Sequence, residues 1–165
     1  MSPPSNPEVF SKFGITLSGL TTFCDGMGIY AGGQGMASSD SRFNGTGESD
    51  ETPVPGVLVY NTTTKAWDND TQATEGPLDG PRFRGGAVCT DKWENGPLAV
   101  FFGGWRTKGS GAQDVHQRQL ADMSVINLYD PVGKKWYWQK ATGFVPQARD
   151  SFCTVGVQST DSYDM

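Results

Sequence analysis

Imidazole is nearly missing from this chain: its 165 residues include one histidine, His116, and three cysteines. That scarcity excludes a metal centre built in this stretch from several imidazoles. No cysteine has another two to four residues away, the spacing a zinc site requires. Basic charge is also short, with 13 Lys and Arg against 18 Asp and Glu and a net charge of -5. The basic residues are scattered, so the stripe that nucleic acid demands is lacking. No apolar run approaches the roughly 18 residues of a membrane-spanning helix. The opening MSPPSNPEVFSKFGITL lacks the charged start and apolar centre of a signal peptide. Helical periodicity is absent as well.

What the chain does have is turn chemistry and short apolar runs. Its 22 Gly and 10 Pro punctuate segments of four to eight β-branched and aromatic residues, the pattern of strands. One set of four reads GITLSGLTTFC, MGIYAGG, GVLVYN and KAWDN. A second reads FRGGAVCT, PLAVFFGG, MSVINLYD and KKWYWQK, and SFCTVGVQ opens a third. Tyr60 and Trp67 return 69 residues later as Tyr129 and Trp136, and Gly32-Gly33 is matched by Gly103-Gly104. A supersecondary unit is therefore repeated, and four antiparallel strands per unit is the make-up of a propeller blade.

The order glycine doublet, Tyr, Trp, then Arg ahead of the next strand resembles the kelch repeat, whose family forms β-propellers of the kelch and galactose-oxidase-like kind, here with loops of fungal type. The positions that carry the resemblance are Gly32, Gly33, Tyr60, Trp67 and Arg82, then Gly103, Gly104, Tyr129, Trp136 and Arg149. The repeat is longer than the roughly 50 residues usual for that family, and the surplus falls in loops. The resemblance implies an all-β chain, a partial kelch propeller of about two and a half four-stranded blades. Residues 1–14 form a tail, and 15–165 the propeller segment, with blades at 15–70 and 82–140 and an incomplete blade at 150–165. Such a count is too small to close a ring, which points to a piece of a longer propeller or to association with other chains.

Each cysteine, Cys24, Cys89 and Cys153, falls in the first strand of its set. Equivalent positions and an odd count suggest buried small thiols and argue against a disulfide framework. Three acceptor triplets for N-glycosylation, at Asn44, Asn61 and Asn69, crowd into turns and loops and would fit a secreted or ectodomain parent. The compartment stays open on sequence alone.

The residues give no catalytic constellation. A copper oxidase of the galactose-oxidase kind would need at least two imidazoles, and His116 stands in a polar loop. Asp122 and Asp130 read as turn caps, no nucleophile sits in a G-x-S-x-G elbow, and TKGSGAQ lacks the GK[ST] of a phosphate loop. No cofactor is implied. Binding remains, and loops on a rigid scaffold are where propellers carry it. The long ones are 34–56, 70–81, 105–121 and 139–148. Trp105, Arg106 and Lys108, directly after the second doublet, with His116 and Arg118, are the candidate contacts for a protein partner, because Trp and Arg dominate interface hot spots. The expected function is a non-enzymatic interaction module. The alternative is a fragment of a secreted carbohydrate oxidase whose catalytic ligands lie outside this chain.

Overall fold

The computed structural model describes residues 3–10, 12–43, 52–70, 81–93, 96–107, 118–158 and 163–164. Among these residues the fold is all-β apart from one turn of helix, α1 (Pro7–Phe10), and a 3-10 turn at Ser41–Phe43. Its strands run β1 (Thr16–Leu17), β2 (Leu20–Cys24), β3 (Met27–Ala31), β4 (Gln34–Gly35), β5 (Thr52–Pro53), β6 (Val57–Asn61), β7 (Ala66–Asp70) and β8 (Arg82–Phe83). They continue as β9 (Gly86–Trp93), β10 (Gly96–Phe102), β11 (Trp105–Thr107), β12 (Arg118–Leu120), β13 (Val125–Asp130), β14 (Lys135–Lys140), β15 (Val157–Gln158) and β16 (Tyr163–Asp164). Among the described residues, no helix is long and apolar enough to cross a membrane.

Two four-stranded antiparallel sheets, β2-β3-β6-β7 and β9-β10-β13-β14, make the body. They share one design down to the register. Tyr60 pairs across the strands with Trp67, and Tyr129 with Trp136. The ring centroids lie 4.6 and 5.0 Å apart, both pairs tilted. The hairpin between the last two strands is also built twice. Asn61 Oδ1 accepts from the N–H groups of Thr63 and Thr64, Asp130 Oδ1 from those of Val132 and Gly133, and Lys65 and Lys134 close each turn at φ of 56° and 51°. Short side-chain oxygens that cap their own turn are why Asn and Asp stand there.

Beyond the glycine doublets the chain does not dissolve into loop. Segments expected as loops at 34–56 and 105–121 begin and end in strands, giving two further three-stranded sheets, β1-β4-β5 and β8-β11-β12. The doublets are the corners that permit this. Gly32 and Gly104 adopt φ of 64° and 79°, and a Cβ at either would sit 2.1 Å from the Arg82 carbonyl oxygen or 2.6 Å from Gly85 N. No side chain fits there.

Successive units are joined by a repeated backbone contact. Ser18, Arg84 and Ser151 hold φ of 61°, 57° and 54°. Arg84 N donates to Ser18 O, and Ser151 N to Arg84 O, each over 2.8 Å. A parallel pair links Gly33 N to Arg82 O and Gly104 N to Arg149 O. The two large sheets and the segment that follows them are thus tied in series by main-chain bonds, which fix how far each is offset from the last.

The core lies between the two large sheets. Leu20, Cys24, Met27, Ile29, Ala31, Val57 and Val59 of the first meet Ala99, Phe101 and Tyr129 of the second. The second sheet's other face, Val88, Val100 and Ile126, gathers Phe102, Leu128 and Ala141. Phe102 in turn packs on Phe152 at 5.9 Å, and Thr154 Oγ1 donates to Ala87 O. The strand expected over SFCTVGVQ is confined to Val157–Gln158, while residues 151–156 run irregularly across the second sheet.

The cysteines correct the sequence reading. Cys24 and Cys89 form a disulfide, with Cα atoms 5.4 Å apart, and Cys153 is free and exposed. They are not equivalent positions. The left-handed residues that open the units are 66 and 67 residues apart, whereas Cys24 and Cys89 are separated by 65. Side chains alternate along a strand, so one residue of offset turns Cys24 toward the second sheet and Cys89 back toward the first.

Two stability tests follow from this core. Reducing Cys24–Cys89, or replacing both by Ser, is expected to lower unfolding free energy by about 2–4 kcal/mol in a urea titration. A thiol reagent should meanwhile find one reactive group, Cys153, in the unreduced native protein. Trp136→Ala, which removes an indole packed 5.6 Å from Phe101 and 5.0 Å from Tyr129, should cost about 3 kcal/mol in the same titration; a loss under about 0.5 would take Trp136 out of the core.

Candidate partner-binding site

The small sheet β8-β11-β12 brings three of the expected partner residues together. Thr107 pairs with Arg118, Arg106 with Gln119 and Trp105 with Leu120, while Trp105 and Arg106 also face Phe83 and Arg82 across the other side. Phe83, on the two-residue edge strand β8, is buried at 1% exposure and pairs with Trp105 of the central strand β11. The Arg118 guanidinium lies over the Phe83 ring, 5.3 Å from its centroid. Lys108 and His116, and the chain between them, fall outside the described residues.

Each of the three half-buried side chains has a neighbour within the fold. Trp105 Nε1 donates to Asp150 Oδ2 over 2.7 Å, which ties the corner after the doublet to the segment that follows Arg149. With the Gln119 amide oxygen turned toward it, Arg106 donates through both NH2 and Nε, at 2.6 and 3.2 Å. Nearby, Asp122 accepts from Ser124 N at 2.8 Å and caps its turn, as its sequence position suggests. The Ser124 N–H and hydroxyl hold the Asp122 carboxyl below the ordinary carboxylate range, with Lys140 and Arg106 adding to the effect. The result is a mixed polar surface with an indole and two guanidinium groups in fixed positions.

The two repeat arginines have different surroundings. Arg82 is 3% exposed; its NH2 donates to Asn127 Oδ1 over 2.8 Å and its NH1 points to Gly103 O at 3.4 Å, the fork onto a unit junction that such an arginine suits. It lines a void of about 10 Å³ between the units, the size of one water, together with Asn127 and Trp136. Arg149 is exposed and donates to Gln147 O, so its side chain does not repeat that role.

The seam between the large sheets is polar at its outer rim. Tyr129 OH donates to Asp70 Oδ2 over 3.1 Å, and Lys134 Nζ pairs with Asp68 Oδ2 at 2.6 Å. Burial, then the Asp70 carboxylate, push the Tyr129 phenol well above its ordinary range.

A second concavity went unnoticed in the sequence. It holds about 370 Å³ on the outer face of the first sheet, between Phe13, Ile15 and Thr16 on one side and Tyr30, Leu58 and Trp67 on the other. Asp40 fixes its wall: it accepts from Ile15 N and pairs with Arg42, whose NH2 also donates to Phe13 O. The tail that supplies Phe13 is docked as well, since Asn6 donates to Trp67 O and accepts from Trp67 N, both at 2.7 Å, along β7. Nothing in the periodicity of residues 1–14 signals a side chain acting as a strand partner.

Among the described residues no group of three or more His, Cys, Asp or Glu is placed to hold a metal ion. No protein-family model matches the chain, and no curated protein matches it.

The Tyr129 environment makes a pH prediction. A phenol whose pKa is raised by folding keeps its proton in the native state, so its stabilisation is complete below the unfolded pKa of about 10 and is lost as pH rises further. Unfolding free energy of the wild type should therefore fall above about pH 10, and Tyr129→Phe should flatten that fall while costing about 1 kcal/mol at neutral pH. Urea titrations across pH 8–11 of both proteins measure it.

Proposed function

We propose that this chain is a segment of a kelch-type β-propeller that works as a non-enzymatic protein-interaction module, binding an acidic stretch of a protein partner at the edge strand β12 and its neighbour β11. The observation that carries this reading is the placement of Trp105, Arg106 and Arg118 on neighbouring strands of one small sheet, Trp105 and Arg118 on the face of Phe83 and Arg106 on the other face beside Gln119. The ordered repeat signature supports the kelch assignment: doublet, Tyr and Trp appear twice in the same register, with a junction arginine buried at Arg82. An indole beside guanidinium groups suits recognition of carboxylates on a partner, because aromatics and Arg combine large contact area with directed donors. Lys108 and His116 belong to the connection between the two strands in the sequence.

Charge reversal tests it. Arg106→Glu with Lys108→Glu should weaken a stoichiometric partner recovered by crosslinking from the producing cells at least about tenfold, one or two charge pairs' worth. Wild-type binding should fall as salt rises, and the variant's melting should match that of the wild type. A partner held equally by both proteins, or at all salt concentrations, would remove this edge from the interface.

A further inference from the structure

The outer face of the first large sheet carries a glycosylation acceptor directly over an apolar groove. Cross-strand pairing puts Tyr30, Leu58 and Asn69 in one row and Tyr60 and Trp67 in the next, and by the alternation of strands all five lie on the face turned away from the core. Leu20, Ile29, Val57 and Val59 occupy the other face, toward the second sheet. Asn69 is exposed on β7, the outermost strand, and lines the groove of about 370 Å³ together with Tyr30, Leu58, Trp67, Ile15 and Phe13. It begins the triplet Asn69-Asp70-Thr71, whose threonine lies outside the described residues.

We propose that Asn69 is an N-glycan acceptor and that the first N-acetylglucosamine of the glycan is the occupant of this groove. Three observations converge on it. The Cys24–Cys89 disulfide between the sheets belongs to oxidising compartments, where N-glycosylation also takes place. The groove's volume falls in the range of small-molecule pockets, roughly 300–1,000 Å³, and its lining is mostly apolar with aromatic faces and a hydroxyl, Thr16 Oγ1, held in place by donating to Tyr30 OH. A sugar ring with its N-acetyl methyl matches that mixture of apolar face and hydrogen-bonding rim. Finally, the acceptor side chain itself forms part of the lining, so the sugar is tethered at the site and needs no independent affinity.

The other triplets are placed differently. Asn61 ends β6, where its Oδ1 caps Thr63 and Thr64, and it does not line this groove. Asn44 lies outside the described residues. The reaction forms the bond from Asn69 Nδ2 to C1 of the sugar as the glycosyl–phosphate bond of a polyprenyl-diphosphate-linked oligosaccharide breaks. The diphosphate departs and Nδ2 gives up a proton. The glycan would also add cover to an edge strand along which Asn6 bonds the Trp67 backbone.

The full chain, produced behind a secretion leader in eukaryotic cells, tests both parts. Reading total cell protein scores retained as well as secreted forms. Enzymatic removal of N-glycans should shift the mass of the wild type, and Asn69→Gln and Thr71→Ala should each lose one glycan, leaving the remaining pattern unchanged. Trimming to a single N-acetylglucosamine should leave the binding of an apolar fluorescent dye low, and complete removal should raise it severalfold. An unmodified Asn69 overturns the acceptor assignment. A glycan at Asn69 whose complete removal changes neither dye binding nor melting temperature overturns its seat in the groove.

Discussion

The seam between successive sheets governs this molecule. Each unit is four short strands with a hydrophobic face, and such a sheet is marginal until a neighbour covers it. The neighbour is positioned by backbone: Ser18, Arg84 and Ser151, all in the left-handed region, pass a hydrogen bond from one unit to the next. Once that offset is set, Leu20, Ile29 and Val57 face Ala99 and Phe101, and the disulfide and the Tyr129–Asp70 bond close the seam at its inner and outer ends. The strain of three non-glycine residues at positive φ is offset by the burial it permits.

Surfaces follow from the same constraint. Because the first sheet turns one face to the second, its other face is left to the tail and the groove, and Asn69 belongs to that face. Because the doublets turn the chain sharply, the segments after them pair as the small sheets that carry Trp105, Arg106 and Arg118. The edge proposed for a partner and the grooved outer face are thus on different sheets, and their chemistry differs: guanidinium groups and an indole on one, aromatic and aliphatic side chains on the other.

Much of the strand order was legible in residues. Alternating apolar runs bounded by Gly, Asn and Asp marked the four strands of each large sheet, and the Tyr and Trp of each copy pair across strands in the same register. Asp122 and Asp130 cap turns as short acidic residues do. The small sheets were not legible, since strands such as Gln34–Gly35 and Thr52–Pro53 are two residues long and carry no periodicity. The docked tail was equally hidden, because its key bond comes from one asparagine imitating a strand.

By itself the sequence determined that the chain is a repeated set of antiparallel strands, because periodicity and turn residues are local properties. Only the tertiary structure decided which cysteines meet. Cys24 and Cys89 are neighbours because their spacing departs from the unit-to-unit offset by one residue, and in a pleated strand one residue separates facing a neighbour from turning away. That offset is fixed by hydrogen bonds between units far apart along the chain, which no local pattern of residues records.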